Sequence, residues 1–303
     1  SGQPYFVDEA TGHSAFALYL QPIKNGTVNA KQIFYGIPCY STSLSTGPTG
    51  NFYVVQYCST DVLEYKSGSS KKAKKPIATY TGGNLGQSGI TNPISAIEDP
   101  KGNLYVGDNR GGVSYFAAGS TKGVVAFPTG SGGYVNQMLV DGKGDVWSIH
   151  GPNPTNVYFK NKTSCVLDPK GTVARNELGE RFSKGKLVQQ LYTQTTDSPT
   201  FSDNGISIAM DSAGRIYTAL QNASRNGVVL DFDPGKSCPN DGLTVTLDYN
   251  ASPQVAVDAS RNFYVTDYTD NTISAYKGGS AKLLKKVTQE KGLFAITYTV
   301  IGP

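Results

Sequence analysis

Histidine is almost missing from this chain: its 303 residues include two, His13 and His150. Imidazole is the side chain that changes charge near neutral pH, so acid–base chemistry here would rest on very few groups. Charge is also scarce. Charged residues make up 17% of the chain and the net charge is +4, which gives no broad electrostatic field for a polyanion. No apolar run is long enough to span a membrane. The four cysteines include no C-x-x-C pair, so zinc-ribbon and dithiol redox motifs are absent. There is no nucleophile elbow, P-loop or dinucleotide fingerprint. The chain opens on Ser1-Gly2-Gln3-Pro4, and strand-forming residues follow at once. We read this as a mature form whose targeting segment has been removed, or as a boundary cut inside a longer chain.

Glycine, serine, threonine and tyrosine are abundant, and they are arranged in a repeat. A short apolar strand leads into a turn of the form Asp-x-x-Gly, followed by a strand rich in aromatic and β-branched residues. Copies occur at Gly50-Asn51-Phe52-Tyr53-Val54, Asp99-Pro100-Lys101-Gly102-Asn103-Leu104-Tyr105-Val106, Asp141-Gly142-Lys143-Gly144-Asp145-Val146-Trp147, Asp211-Ser212-Ala213-Gly214-Arg215-Ile216-Tyr217 and Asp258-Ala259-Ser260-Arg261-Asn262-Phe263-Tyr264-Val265. Asp at the first position and Gly at the fourth suit a tight turn in which the Asp side chain bonds the backbone ahead of it. A third strand follows each copy: Val62–Tyr65, Val113–Phe116, Val157–Phe159, Val228–Phe232 and Ile273–Tyr276. A fourth follows after a Gly/Ser/Lys turn, as in Pro76–Tyr80 and Gly123–Phe127. Four short strands at a period of roughly 45 residues make one propeller blade.

The two ends complement each other. Leu293–Thr297 aligns with the innermost strand of a blade. Tyr5–Asp8, Phe16–Tyr19 and Gln32–Tyr35 align with the second, third and fourth strands. We therefore expect one blade built from both ends, five internal blades, and a single all-β domain over residues 1–303. The long interval between Gly144 and Gly214 reads as one blade with an insertion around Lys170–Lys186.

The Asp-x-x-Gly-Asn-Leu-Tyr-Val form resembles the repeat of the NHL and SMP-30-like six-bladed propeller superfamily, over nearly the whole chain. Residues 262–276, from Asn262-Phe263-Tyr264-Val265 to Tyr276, also resemble a YVTN-type surface-protein repeat. The resemblance implies a six-bladed ring and leaves function open, because the superfamily includes lactonases, lyases and non-catalytic binding modules.

In such a ring, the starts of the inner strands and the loops after the second strands surround one mouth of the channel. Here the starts carry Asn92, Asn136, Asp203-Asn204 and Ser252. The loops carry Glu9, Gln56, Asp108-Asn109-Arg110, His150, Asn222 and Asp267. The ligand-binding candidates are Asn92, Asn136, Asp203 and Asn204. The resemblance to SMP-30-like lactonases, which hold a divalent cation with Glu, Asp and Asn, makes Asp203, Asn204 and Glu9 candidate ligands for a calcium ion. Asp203-Asn204 also suits a simple turn before Gly205. Virginiamycin-lyase-type propellers use histidines with a Glu. His150 is the one candidate for that role, and we expect it in an exposed loop without an evident partner. Tyr40, Tyr57, Tyr134 and Tyr268 are candidates for a sugar- or peptide-binding face.

Position along the blades pairs Cys39 with Cys58 and Cys165 with Cys238, which would place the chain in an oxidising compartment; four buried thiols are the alternative. Sequons at Asn25, Asn161, Asn222 and Asn250 fall near turns and permit glycosylation. A chain this rich in Asn, Ser and Thr carries several by composition alone. The lysine clusters Lys71-Lys72-Ala73-Lys74-Lys75 and Lys282-Leu283-Leu284-Lys285-Lys286 belong to different blades. They read as protection of exposed sheet edges, not as a nucleic-acid patch, and no membrane insertion is expected. The expected function is a secreted or cell-surface propeller without catalysis. It would bind a glycan or a protein, or form part of an extracellular assembly or homo-oligomer. The alternative is a metal-dependent lactonase or hydrolase.

Overall fold

In a computed structural model, the described residues are 4–8, 14–18, 32–37, 41–56, 60–66, 75–81, 92–128, 134–151, 156–161, 165–171, 173–193, 204–222, 224–240, 245–249, 253–267, 269–270, 272–288 and 296–301. All regular structure among them is β. In chain order the strands are β1 (Pro4–Asp8), β2 (Ser14–Leu18), β3 (Gln32–Ile37), β4 (Ser41–Thr46), β5 (Phe52–Gln56), β6 (Asp61–Tyr65) and β7 (Ala78–Thr81). There follow β8 (Pro93–Glu98), β9 (Leu104–Asp108), β10 (Gly112–Phe116), β11 (Gly123–Pro128), β12 (Val135–Val140), β13 (Val146–His150), β14 (Asn156–Phe159), β15 (Val173–Ser183) and β16 (Lys186–Tyr192). The last are β17 (Asn204–Met210), β18 (Ile216–Gln221), β19 (Asn226–Phe232), β20 (Val245–Tyr249), β21 (Gln254–Val257), β22 (Phe263–Asp267), β23 (Thr272–Tyr276), β24 (Leu283–Thr288) and β25 (Ile296–Ile301).

Five sheets come from consecutive segments: β4–β7, β8–β11, β12–β16, β17–β20 and β21–β24. We call them blades two to six. A further sheet, blade one, has the order β25-β1-β2-β3 and is described by its backbone pairing. Within it Pro4 faces Ile301, Tyr5 faces Val300 and Val7 faces Tyr298. The closing strand is described over Ile296–Ile301. It shares Ile296 and Thr297 with the expected Leu293–Thr297 and runs on to Ile301, while residues 293–295 lie outside the described ones. The innermost strands neighbour one another in a closed cycle, β4, β8, β12, β17, β21, β25 and back to β4.

The repeated turn does what its residues predict. Asp99, Asp141 and Asp211 each accept, through Oδ1, the backbone N–H groups two and four residues ahead at 2.8–3.0 Å. Gly102, Gly144 and Gly214 close these turns at φ 81–82°, where a Cβ would be strained. In the last copy Arg261 occupies that position at φ 66°.

Apolar side chains pack between neighbouring blades. Trp147, Ile149, Leu178 and Leu191 of blade four meet Ile208, Ile216, Leu220, Leu230 and Phe232 of blade five in one buried cluster. Each such side chain contributes about 1.5–3 kcal/mol by leaving water. Inner strands are also zipped by polar groups. Ser95 Oγ donates to Val135 O (2.9 Å), Gln137 Oε1 accepts from Ile208 N (2.6 Å) and Val255 N donates to Ser207 Oγ (3.0 Å).

Blade four departs from the sequence expectation. Val157–Phe159, read as its third strand, belongs to β14, which runs antiparallel to the first half of β15: Asn156 faces Asn176 and Phe159 faces Val173. The second half of β15 pairs with β13, Val146 with Phe182 and Ile149 with Gly179. The segment read as an insertion around Lys170–Lys186 is therefore the third strand itself, and β16 is the outer one. Burial explains the misreading. Arg175, Asn176, Glu177, Glu180 and Arg181 give β15 the composition of a solvated loop, yet Ala174 is only half-buried while Arg175, Asn176 and Glu180 are at most 3% exposed. Beyond β14, Cys165 forms a disulfide with Cys238 of blade five. Cys39 and Cys58 lie outside the described residues.

Candidate functional site

The channel mouth is held by amides that bind one another. Asn136, at the start of β12, donates from Nδ2 to Gly205 O (2.5 Å) and Asn204 Oδ1 (3.3 Å) at the start of β17. Asn92 adopts φ 54° and its carbonyl accepts the Asn109 N–H. No hydrogen bond among the described residues links Asn92 to the other two. Asp203, Glu9 and Ser252 lie outside the described residues. The polar residues after the second strands hold turns. Asp108 accepts the N–H groups of Arg110 and Gly112, Asn222 those of Ser224 and Asn226, and Asp267 those of Thr269 and Asp270. Burial raises the Asp108 carboxyl above its ordinary range, opposed by those backbone bonds and Arg110. Among the sequons, Asn161 is exposed and Asn222 half-buried; Asn25 and Asn250 lie outside the described residues. So do Tyr40, Tyr57 and Tyr268, whereas Tyr134 is exposed.

His150 contradicts its expected setting. It ends β13 with 1% of its surface exposed, and it has partners. Its Nε2 stands 3.3 Å from Glu180 Oε2 and 3.2 Å from Ser148 Oγ. Ser148 and His150 share a face of β13 because strand side chains alternate. Glu180 is the register partner of Ser148 across the ladder.

Glu177 joins them through a β-bulge. In a regular strand, residues three apart point to opposite faces. Against β16, however, Glu177 faces Tyr192 while Gly179 faces Leu191, so Leu178 is the extra residue. A bulge of this kind re-aims the side chains that flank it. Glu177 and Glu180 thereby reach one pocket and share a hydrogen bond. Burial, then the charge of Glu180 and that bond, push the Glu177 carboxyl up to about 7, with a Gln190 hydrogen bond opposing. Tyr192 is raised to about 12 by burial and by both carboxylates. His150, Glu177 and Glu180 offer one ligand atom each, all within 4.8 Å of one another. The sequence hides the cluster because β15 reads as part of an insertion around Lys170–Lys186 and not as a strand. One signal was present: Val146-Trp147-Ser148-Ile149-His150 places two polar side chains on one face of an otherwise apolar strand, and such a face needs a polar partner.

A second feature lies on the side of the Asp-x-x-Gly turns. A cleft of about 740 Å³ opens between blades three and four. Tyr105, Tyr115 and Phe182 wall it, with Lys101, Lys143 and Lys184 at its edges. The two tyrosine rings stand 5.3 Å apart, tilted by 58°. Its carboxylates are committed. Asp99 holds its turn and receives Asn103 Nδ2 at 2.8 Å, and Asp145 accepts Arg181 Nη2 at 2.6 Å.

The chain is a β-propeller with four-stranded blades, blade four carrying a fifth strand. A chain of the nidogen/laminin complex aligns with a TM-score of 0.64 and 13% identity, covering 100% of this chain and 99% of that one. The WD40 domain of Toxoplasma gondii coronin aligns at 0.56 and 14%, covering 92% and 66%. A catalytically inactive virginiamycin B lyase from Staphylococcus aureus, crystallised with quinupristin, aligns at 0.56 and 12%, covering 96% and 86%. No family model and no curated protein sequence matches the chain. At these identities the likeness is one of fold.

Proposed function

We propose that this chain is an extracellular, six-bladed, single-domain propeller that binds a protein partner without turning it over. The observation that carries this reading is the cleft between blades three and four. It is open and partly aromatic, which suits recognition of a polar surface, and both of its carboxylates are engaged in turn or ion-pair contacts. General acid–base catalysis needs a titratable group within reach of a ligand, and the His150 cluster is closed to solvent. The disulfide supports an oxidising compartment. The propeller of similar shape in the nidogen/laminin complex supports a protein partner, with a glycan as the second ligand class.

The test is surface binding of the purified protein to panels of secreted proteins and oligosaccharides, run beside a lactone-hydrolysis assay with and without calcium. A saturable protein ligand whose affinity falls at least about tenfold in Tyr105→Ala or Tyr115→Ala, the loss typical of an aromatic anchor, is the expected result. Selective oligosaccharide binding would replace the protein partner with a glycan. Calcium-dependent lactone turnover that disappears in Asn204→Ala would replace binding with hydrolysis, through the calcium site that Asp203, Asn204 and Glu9 would then supply.

A further inference from the structure

We propose that His150, Glu177 and Glu180 form a zinc-class metal site inside blade four. One imidazole nitrogen and two carboxylates are a donor set that suits zinc better than calcium or magnesium, which prefer oxygen alone.

Distance supports this reading. Charged N–H···O bonds are normally about 2.7–2.9 Å long. Zinc bonds of about 2.0–2.1 Å at the tetrahedral angle place neighbouring ligand atoms about 3.3 Å apart. His150 Nε2 and Glu180 Oε2 are 3.3 Å apart. Ser148 Oγ, 3.2 Å from the same nitrogen, lies where a fourth ligand or a metal-bound water would be held.

An independent observation points to a ligand. Glu177 is 8% exposed, and its Oε1 has no hydrogen-bond partner. Buried carboxylate oxygens are rarely left so, because the lost hydration is costly. The bulge at Leu178, and the lack of a side chain at Gly179 where a Cβ would crowd Ser148 O, bring this carboxylate to the histidine. A metal ion would satisfy it and neutralise the second carboxylate in the pocket. Because the site is buried, the ion would enter during folding. This inference is independent of the cleft and its ligand.

The experiment is to unfold the disulfide-intact chain in chelator, refold it with or without zinc, and measure bound metal and melting temperature. We expect one zinc per chain and a rise in Tm of at least about 3 °C. Glu177→Gln and His150→Gln should weaken zinc uptake at least about 100-fold, since losing a ligand costs no less than losing its outer support. Cobalt(II) in the wild-type chain should show the intense visible absorption of a four-coordinate site, which decides the matter if the variants do not fold. Substoichiometric zinc in the refolded wild type, zinc uptake unchanged in both variants, or a weak octahedral cobalt spectrum would each overturn the proposal.

Discussion

Glu177 and Glu180 stand three residues apart on one strand, yet their carboxyl groups share a hydrogen bond. The extra residue at Leu178 makes this possible, and Gly179 lets β15 lie close enough to β13. A Cβ on Gly179 would stand 2.5 Å from Ser148 O, a backbone atom that cannot swing aside. Gly179→Ala should therefore destabilise the fold by about 2–3 kcal/mol, the cost of overpacking a tight site. Gly142→Ala is the control, because open space surrounds that position. Urea unfolding of both variants checks the contrast, and equal midpoints would show that the strand approach is not tight.

Local chemistry made the ring legible and left the cluster hidden. The Asp-x-x-Gly turns combine a side chain that bonds the backbone ahead with a glycine at positive φ, and both leave marks in the sequence. Complementary end strands make the assembly of blade one legible, although the closing strand runs on to Ile301, beyond the Thr297 at which its apolar pattern stops. Blade four defeated the same logic, because β15 buries Arg175, Asn176, Glu177 and Glu180, where an alternating apolar pattern would normally mark a strand. A bulge adds one residue to a count of two, so spacing alone assigns Glu177 to the wrong face. Pairing Cys165 with Cys238 rested on relative blade position and survived the revised strand assignment, since both residues still follow outward excursions of adjacent blades.

Arg261 links the last turn to the preceding blade. Its Nε donates to Asp211 Oδ2 at 2.8 Å, while its backbone sits at φ 66°, where the other copies use glycine. Arg261→Gly relieves about 1 kcal/mol of backbone strain. It also loses an ion pair in which Asp211 is buried and only the Arg261 side chain is exposed, worth about 1 kcal/mol after partial screening, so stability at neutral pH should change little. Arg261→Ala keeps the strain and loses the pair, and should cost about 1 kcal/mol. Acid separates the wild type from Arg261→Gly. Burial pushes the Asp211 carboxyl up, but the Arg261 bond and the backbone N–H groups of Arg215 and Ala213 outweigh it, so it titrates below its ordinary range. A depressed carboxyl stabilises above its unfolded value, near about 4, and that stabilisation fades as pH falls through the folded value. Arg261→Gly should lose less stability than wild type between about pH 5 and pH 2. Identical acid limbs would mean the pair does not couple to folding.

The Cys165–Cys238 bridge ties the β14–β15 extension to blade five across 73 residues of sequence. Neighbouring contacts follow the same path: Tyr192 N donates to Ser237 O at 2.8 Å and Gln189 Nε2 to Lys236 O at 3.0 Å. On the chain-entropy model a loop of this length is worth about 4 kcal/mol. Cys165→Ser with Cys238→Ser should lower unfolding stability by up to that amount without changing secondary structure. Calorimetry beside circular dichroism measures both, and an unchanged melting temperature would make the bridge dispensable.

Blade one is the last test of how the ring is held. β25 is hydrogen-bonded to β1 from Pro4↔Ile301 to Asp8↔Ile296, and it neighbours both β21 and β4 in the inner cycle. Removing residues 296–303 leaves β1 as an unpaired edge and removes one member from a closed cycle of inner strands. An exposed edge invites pairing with other chains, and loss of a shared interface lowers the stability of blades that the deletion does not touch. The truncated chain should melt well below the full one and self-associate during light scattering. Adding the missing segment back as a free peptide should restore part of the lost stability in proportion to peptide concentration, because binding to the folded state alone stabilises by mass action. A truncated chain that melts like the full one and stays monomeric would show that the remaining blades hold together without closure.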